Sequence, residues 1–133
     1  MVTRFYLDTS VAVHALRGTP SAEAWFDTVT GDPDSDLVSS RILRTELTRV
    51  LRRDRRPLVD RDLVLDHLGT VPVTESILTT AESITDHVKT LDAIHLATAL
   101  AVGGDTVVVS HDANVKRVAR VLGLDTHDPV DQS

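Results

Sequence analysis

Apolar residues along the chain recur in two alternating patterns, short continuous runs and longer stretches at helical spacing. Phe5-Tyr6-Leu7 is a strand-like run that stops at Asp8-Thr9-Ser10, where helix-capping residue types open a helix through Val11 to Leu16, closed by Gly18. Thr19-Pro20 opens another, a cap residue followed by proline in the first helical position, with Ala22, Trp25, Phe26 and Val29 on its inner face. After the loop Gly31-Asp32-Pro33-Asp34, Leu37-Val38 predicts a second strand. Ile42, Leu43, Leu47, Val50 and Leu51 then mark an amphipathic helix ending near Asp54, ahead of Pro57.

The second half continues the alternation. A helix is expected over about Asp60 to Leu68, an edge strand at Val71-Pro72-Val73, and a helix capped by Thr74 around Ile77, Leu78, Ala81 and Ile84. From Leu91 to Val102 the sequence is apolar almost all round, so that helix is enclosed on most sides, yet it carries Asp92 and His95. Val107-Val108-Val109 has the character of a buried parallel strand. Ser110-His111-Asp112 follows, then a helix through Val115, Val118, Ala119 and Leu122 closed by Gly123, and the tail from Asp125 adds a last strand. Strands alternating with helices over short connections predict an α/β fold, a three-layer α/β/α sandwich around a central parallel sheet.

Length and composition narrow the class. A chain of 133 residues, 41% hydrophobic and 26% charged, predicts one globular domain over residues 1–133. With no cysteine, disulfide frameworks, zinc ribbons and thiol nucleophiles are excluded, which fits a reducing compartment, so the expected location is cytoplasmic. No run reaches the roughly 20 apolar residues of a membrane span, and the first residues lack the apolar core of a signal peptide. The formal charge of −6 argues against holding nucleic acid by bulk electrostatics, but eight of the 14 basic residues lie between Arg41 and Arg61. Arg49, Arg52, Arg53 and Arg56 recur at three and four residues, a stripe that is either a solvated face or a phosphate-binding strip.

In an open parallel sheet ligands bind at the carboxyl ends of the strands. Asp8 follows the first strand and Asp112 follows the Val107–Val109 run, so both face one crevice. Glu46 sits on its helix at the border between the apolar and arginine-rich arcs, and Asp92 falls in the first turn of the enclosed helix. Singly, each has a structural role open to it: Asp8 as a cap, Asp92 and Asp112 as dipole-favoured acids, Glu46 as a partner of neighbouring arginines. Together, four acids would repel one another, no lysine is expected beside them, and a divalent cation would resolve the repulsion. An oxygen-only donor set selects Mg2+ or Mn2+, whose shell is completed by water and phosphate oxygens, which points to phosphodiester chemistry with metal-activated water. Ser10 is expected to cap the first helix and support the site, and His95 to be a satisfied interior histidine or to orient a carboxylate. His111 lies on a turn beside Asp112.

Leu7-Asp8-Thr9-Ser10-Val11, Arg44-Thr45-Glu46-Leu47, Leu91-Asp92-Ala93-Ile94-His95-Leu96-Ala97-Thr98-Ala99 and Val109-Ser110-His111-Asp112 together resemble the PIN-domain ribonucleases, specifically the VapC-type toxins of toxin–antitoxin pairs. The likeness runs in order over essentially the whole chain. It implies a PIN-like nuclease domain, an endoribonuclease dependent on Mg2+ or Mn2+, and a cognate VapB-type antitoxin that inserts a segment across the active site. By the same resemblance Asp8, Asp92 and Asp112 would hold metal, and Glu46 would complete the catalytic cluster through a second ion or a coordinated water. Homodimers are frequent in the family, with residues 11–29 and 58–84 as candidate contacts. His111 stands where the family often has an aromatic, and 3% aromatic content leaves RNA recognition to arginine and shape. A phosphatase of the haloacid-dehalogenase type would want a second aspartate where this chain has Ser10. A metal-stabilised module that binds RNA or protein without cutting is the remaining alternative.

Overall fold

The computed structural model describes residues 1–131. Five strands, β1 (Thr3–Leu7), β2 (Ser35–Ser40), β3 (Gly69–Val71), β4 (Val107–Val109) and β5 (Asp125–His127), form one sheet in the order β3-β2-β1-β4-β5. Every pairing is parallel. Seven α-helices connect and cover the strands: α1 (Thr9–Leu16), α2 (Pro20–Thr30), α3 (Ile42–Arg53), α4 (Asp62–Leu65), α5 (Glu75–Ser83), α6 (Thr90–Val102) and α7 (Ala113–Val121).

The layering follows from alternation along the strands. Leu7, Leu37 and Val109 point to one face and pack with Val11, Phe26, Leu43 and Leu47 from α1, α2 and α3. Tyr6 and Val108 point to the other face and meet Leu96, Val115 and Val118 from α6 and α7. A third cluster joins Ile77 of α5 to Ile94 and Ala97 of α6. Tyr6 and Leu7 are consecutive and both fully buried, as both-face coverage of a central parallel strand requires. The expected α/β/α sandwich is therefore the observed one. Among the described residues no helix is long and apolar enough to cross a membrane.

Two expected elements differ. The helix expected over about Asp60 to Leu68 is a 3-10 turn at Leu58–Arg61 followed by the single-turn α4, in which Val64 is the one fully buried residue while Leu65 and Leu68 pack against the core at partial burial. The edge strand lies at Gly69–Val71 rather than Val71-Pro72-Val73: Pro72 has no N–H to give the ladder, so pairing with β2 ends at Ser40↔Val71.

Sheet topology places the functional edge. Reading across the sheet, the strand order reverses between β1 and β4, and this is where a doubly wound sheet leaves a crevice at its carboxyl ends. Asp8 ends β1 and donates its N–H to the Val109 carbonyl at 3.0 Å, tying the two strand ends together at the reversal.

Leu43 of α3 is fully buried in the cluster with Leu7, Leu37 and Val109, so Leu43→Ala should lower unfolding free energy by about 2–5 kcal/mol in urea titration. Leu63→Ala, at a side chain 61% exposed, should stay within about 0.5 kcal/mol of the parent.

Candidate active site

At the carboxyl edge a cavity of about 410 Å3 is lined by Asp8, Glu46, Asp92 and Asp112, with Thr9 and Ser10 between them. The four acids come from four separate elements: the end of β1, the middle of α3, the first turn of α6 and the start of α7. All four candidate acids of the sequence thus share one wall. Lys89 also lines this cavity, three residues before Asp92, which corrects the expectation that no lysine is near. It makes no ion pair with any of the four and lies exposed at the N-cap of α6.

Three of the acids are anchored through one oxygen by hydroxyls, an imidazole or backbone amides. Asp8, 3% exposed, accepts from the Ser10 and Ser110 hydroxyls, each 2.8 Å from Oδ2. Its side chain makes no cap to α1, so the capping role open to it is not the one it takes. Glu46 accepts at Oε1 from the Thr9 hydroxyl at 2.8 Å and from His95 Nε2 at 2.6 Å, in place of the arginine partners open to it. Asp112 caps α7, its Oδ1 accepting from the Asn114 and Val115 amides at 2.9 and 3.0 Å. Among the described hydrogen bonds, Oδ1 of Asp8, Oε2 of Glu46 and Oδ2 of Asp112 accept none.

Ser10 is a bridge rather than a cap. It donates to Asp8 and accepts the His111 amide at 3.0 Å, joining the start of α1 to the turn after β4. Ser110, Thr9 and Tyr6 are the partners that sequence reasoning missed. Ser110 and Thr9 lie inside the motif segments, adjacent to the acids, which is the one signal that could have drawn attention to them.

His95 is buried to 1% exposure and sits in a polar chain through the protein. Burial pushes the Tyr6 phenol well above its usual range, so it stays protonated. Its hydroxyl lies 2.7 Å from His95 Nδ1, and His95 Nε2 lies 2.6 Å from Glu46 Oε1, so both ring nitrogens are hydrogen-bonded. Both roles open to His95 are therefore filled: it is a satisfied interior histidine and it orients a carboxylate. His111 is exposed, packs edge-on against His14 at 5.1 Å and lies 3.0 Å from Asp128. Burial alone would raise the Asp128 carboxyl, but Lys116 at 2.7 Å, the Val130 and Asp131 amides and His111 outweigh it and hold it below its ordinary range. That knot fixes the turn carrying Asp112.

Asp92 bears the electrostatic cost of the arrangement. Burial first, then the charges of Asp8 and Asp112, push its carboxyl up to about 6, with Glu46 adding to the rise and His95 opposing it. No cation forms an ion pair with it. Among the described residues no three acidic or histidine side chains are gathered tightly enough to hold an ion as they stand. The acids nevertheless fit a hard divalent cation: their carboxylates are oxygen donors, three of them keep an oxygen uncommitted, and the part of the Asp92 rise that comes from neighbouring charge is what such a cation would offset.

The arginine stripe is broken. α3 ends at Arg53, so the three-and-four spacing has no helix to carry it further, and Arg55 takes φ 55°. Arg56 turns inward, donating to Asp60 at 3.0 Å and to the Leu16 carbonyl at 2.7 Å. It is engaged as a structural staple, whereas Arg49, Arg52 and Arg53 remain exposed on α3.

The raised Asp92 carboxyl sets a pH dependence. An acid whose folded pKa lies above its unfolded value favours the folded state when protonated, so its contribution fades as pH rises from about 4 through about 6. Metal-free protein should therefore show a decline in Tm between pH 5 and 7.5 that Asp92→Asn flattens. Parallel calorimetric scans of the two proteins would check it, and equal slopes would count against the crowding of charge.

The profile of the PIN domain matches residues 5–121. Ribonuclease VapC35 of Mycobacterium tuberculosis is 30% identical over 126 residues, which cover 90% of this chain and 92% of that protein. Two solved structures share the fold: VapBC2 from Rickettsia felis bound to a DNA fragment from their promoter, and DNA-bound VapBC from Salmonella typhimurium. The first has a TM-score of 0.74 at 14% identity, covering 95% of this chain and 98% of that one. The second has 0.72 at 19% identity, covering 97% and 99%. Family profile, relative and fold agree with the acid-lined edge: the chain belongs to the PIN-domain family, in the group of the VapC ribonucleases.

Proposed function

We propose that this chain is the toxin of a toxin–antitoxin pair, an endoribonuclease hydrolysing RNA phosphodiester bonds in the cytoplasm, with residues 1–133 forming a single nuclease domain. The observation that carries this reading is the shared wall of Asp8, Glu46, Asp92 and Asp112, three of them fastened through one oxygen with the other uncommitted. It is supported by the likeness to Ribonuclease VapC35, by name a ribonuclease. The VapBC complexes among the structural neighbours support a VapB-type antitoxin as partner.

Asp8, Asp92 and Asp112 would hold Mg2+ or Mn2+, with Glu46 acting through a second ion or a coordinated water. Such an ion, when bound, supplies an activated water near neutral pH and offsets charge on the attacking and leaving oxygens. The residues of the chain do the rest. Ser10 and Ser110 keep Asp8 in one rotamer, and the α7 cap does the same for Asp112. Thr9 and His95 hold Glu46 by one oxygen, so the other stays available to accept a proton or a water hydrogen bond. A homodimer is also proposed: Val59 and Leu63, 68% and 61% exposed, stand on adjacent turns within the 58–84 segment.

Purified protein should cut a mixed single-stranded RNA pool with Mg2+ or Mn2+ and stop on chelation. Asp8→Asn and Asp92→Asn, folded by circular dichroism, should lose cutting. RNA and metal binding without cutting, across a pool of diverse sequences, would favour a non-cleaving module. Thr9→Val should keep the fold and lower activity about 10–100-fold, the usual effect of removing a group that orients a ligating or catalytic side chain. Unchanged turnover in Thr9→Val would mean that Glu46 needs no such support.

A further inference from the structure

A second cavity, of about 550 Å3, lies on the other flank of α3 and is lined by Arg41, Arg44 and Arg61 together with Ser40, Asp62 and Thr70. Three guanidiniums face one concavity on a protein whose formal charge is −6. Among the described residues none of the three forms an ion pair, whereas Arg4, Arg17, Arg56 and Arg117 are each committed to an aspartate. Neutral groups hold two of the heads instead: Arg61 donates to the Thr48 hydroxyl at 2.8 Å, and Arg41 reaches the Thr45 hydroxyl at 3.5 Å. Asp62 supplies one negative charge against three positive ones, so the cavity keeps an excess that an anion would neutralise. Guanidinium forks favour planar or tetrahedral oxyanions, bound through paired hydrogen bonds.

Its position relative to the acids follows from strand register and helix geometry. The β1–β2 pairing Tyr6↔Val38, continued by two residues, sets Ser40 beside Asp8 on neighbouring strand ends, roughly 4.8 Å apart in the sheet direction. α3 departs immediately after Ser40, and Arg44 and Glu46, two residues apart, lie about 200° apart around it. The helix, about 10–12 Å across, therefore stands between the acid wall and the arginine cavity. That width matches about three stacked nucleotides at ~3.4 Å each. A strand passing over the first turn of α3 also meets the positive end of the helix dipole.

We propose that the Arg41, Arg44 and Arg61 cavity is a phosphate subsite for the RNA substrate, holding a backbone phosphate about three nucleotides from the bond that is cut. This rests on the ribonuclease reading above and deepens it. The subsite explains how a net-acidic protein with an acidic reaction centre grips a polyanion: the attraction is local, on the far side of one helix. Arg52 and Arg53, exposed on the same helix but outside the cavity, take no part.

The test compares Arg41→Gln/Arg44→Gln with Arg52→Gln/Arg53→Gln, two variants of equal net charge at exposed positions, each checked for an unchanged melting curve. Binding of a labelled 12-nucleotide single-stranded RNA is measured in chelator across a salt series, and cleavage of a defined substrate is measured with Mg2+. The cavity variant should bind at least tenfold more weakly, with a log–log salt slope shallower by about 0.7 for one lost phosphate contact. Its KM should rise by a similar factor with kcat within about twofold, while the Arg52/Arg53 variant stays near the parent. Trimming the RNA one nucleotide at a time should produce a step in parental affinity that the cavity variant lacks. Equal losses in the two variants would reduce the effect to bulk charge and overturn the subsite. So would normal RNA binding and KM in a cavity variant that no longer binds its antitoxin, which would assign the cavity to that protein instead. Cutting by the parent with an unaltered KM in the cavity variant removes the subsite alone. A parent that neither cuts nor binds any RNA removes the ribonuclease reading and the subsite with it.

Discussion

Mutual repulsion among four carboxylates is the constraint around which this molecule is arranged. Asp8, Glu46 and Asp112 are held in place by hydroxyls, an imidazole and backbone amides, none of them a permanent cation, and Asp92 joins them in lining the cavity. Such donors fix position without adding a permanent positive charge. The consequence is visible at Asp92, the acid the described hydrogen bonds leave without a partner, whose proton affinity is raised by burial first and then by the neighbouring carboxylates. An arginine in the same cavity would have made the fold easier to stabilise and the site less able to attract a divalent ion.

The fold supplies the anchors from places far apart in sequence. Ser110 is 102 residues from Asp8, and His95 is 49 from Glu46. Both contacts exist because the strand order reverses between β1 and β4, which brings the ends of those strands and the enclosed helix α6 to one edge. The buried chain from Tyr6 through His95 to Glu46 ties the central strand, α6 and α3 into a single polar connection inside otherwise apolar layers. A satisfied network of this sort favours one packing over its near neighbours, since any slip leaves a buried donor or acceptor unpaired.

Much of this was legible in the sequence, because the signals were local. The strand–helix alternation, the proline at the start of α2, Thr74 capping α5 and the all-round apolarity of α6 each follow from a few adjacent residues. The four acids were legible as a set because each follows a strand or opens or flanks a helix at the same edge. What escaped was non-local or subtle. The partners Ser110 and Tyr6 are ordinary residues until the topology sets them against Asp8 and His95. The shift of β3 turns on a single missing N–H at Pro72, and the short α4 goes with one fully buried residue, Val64, where a full helix would bury several. The arginine spacing was real, but a period of three to four has meaning only while the helix lasts, and α3 stops at Arg53.

Asp112 links the integrity of a helix to the chemistry of the edge. One of its oxygens caps the start of α7 while the residue also lines the acid cavity, so a single side chain serves secondary structure and candidate site at once. Substitution at this position therefore carries two costs. Alanine gives up the cap, worth about 1 kcal/mol, together with the ligand, while asparagine preserves the cap and gives up only the charge. Backbone amides that normally report folding, those of Asn114 and Val115, are thereby wired to the site: whatever draws electron density from Asp112 weakens their acceptor. The start of α7 is in this sense a gauge of what the neighbouring cavity contains.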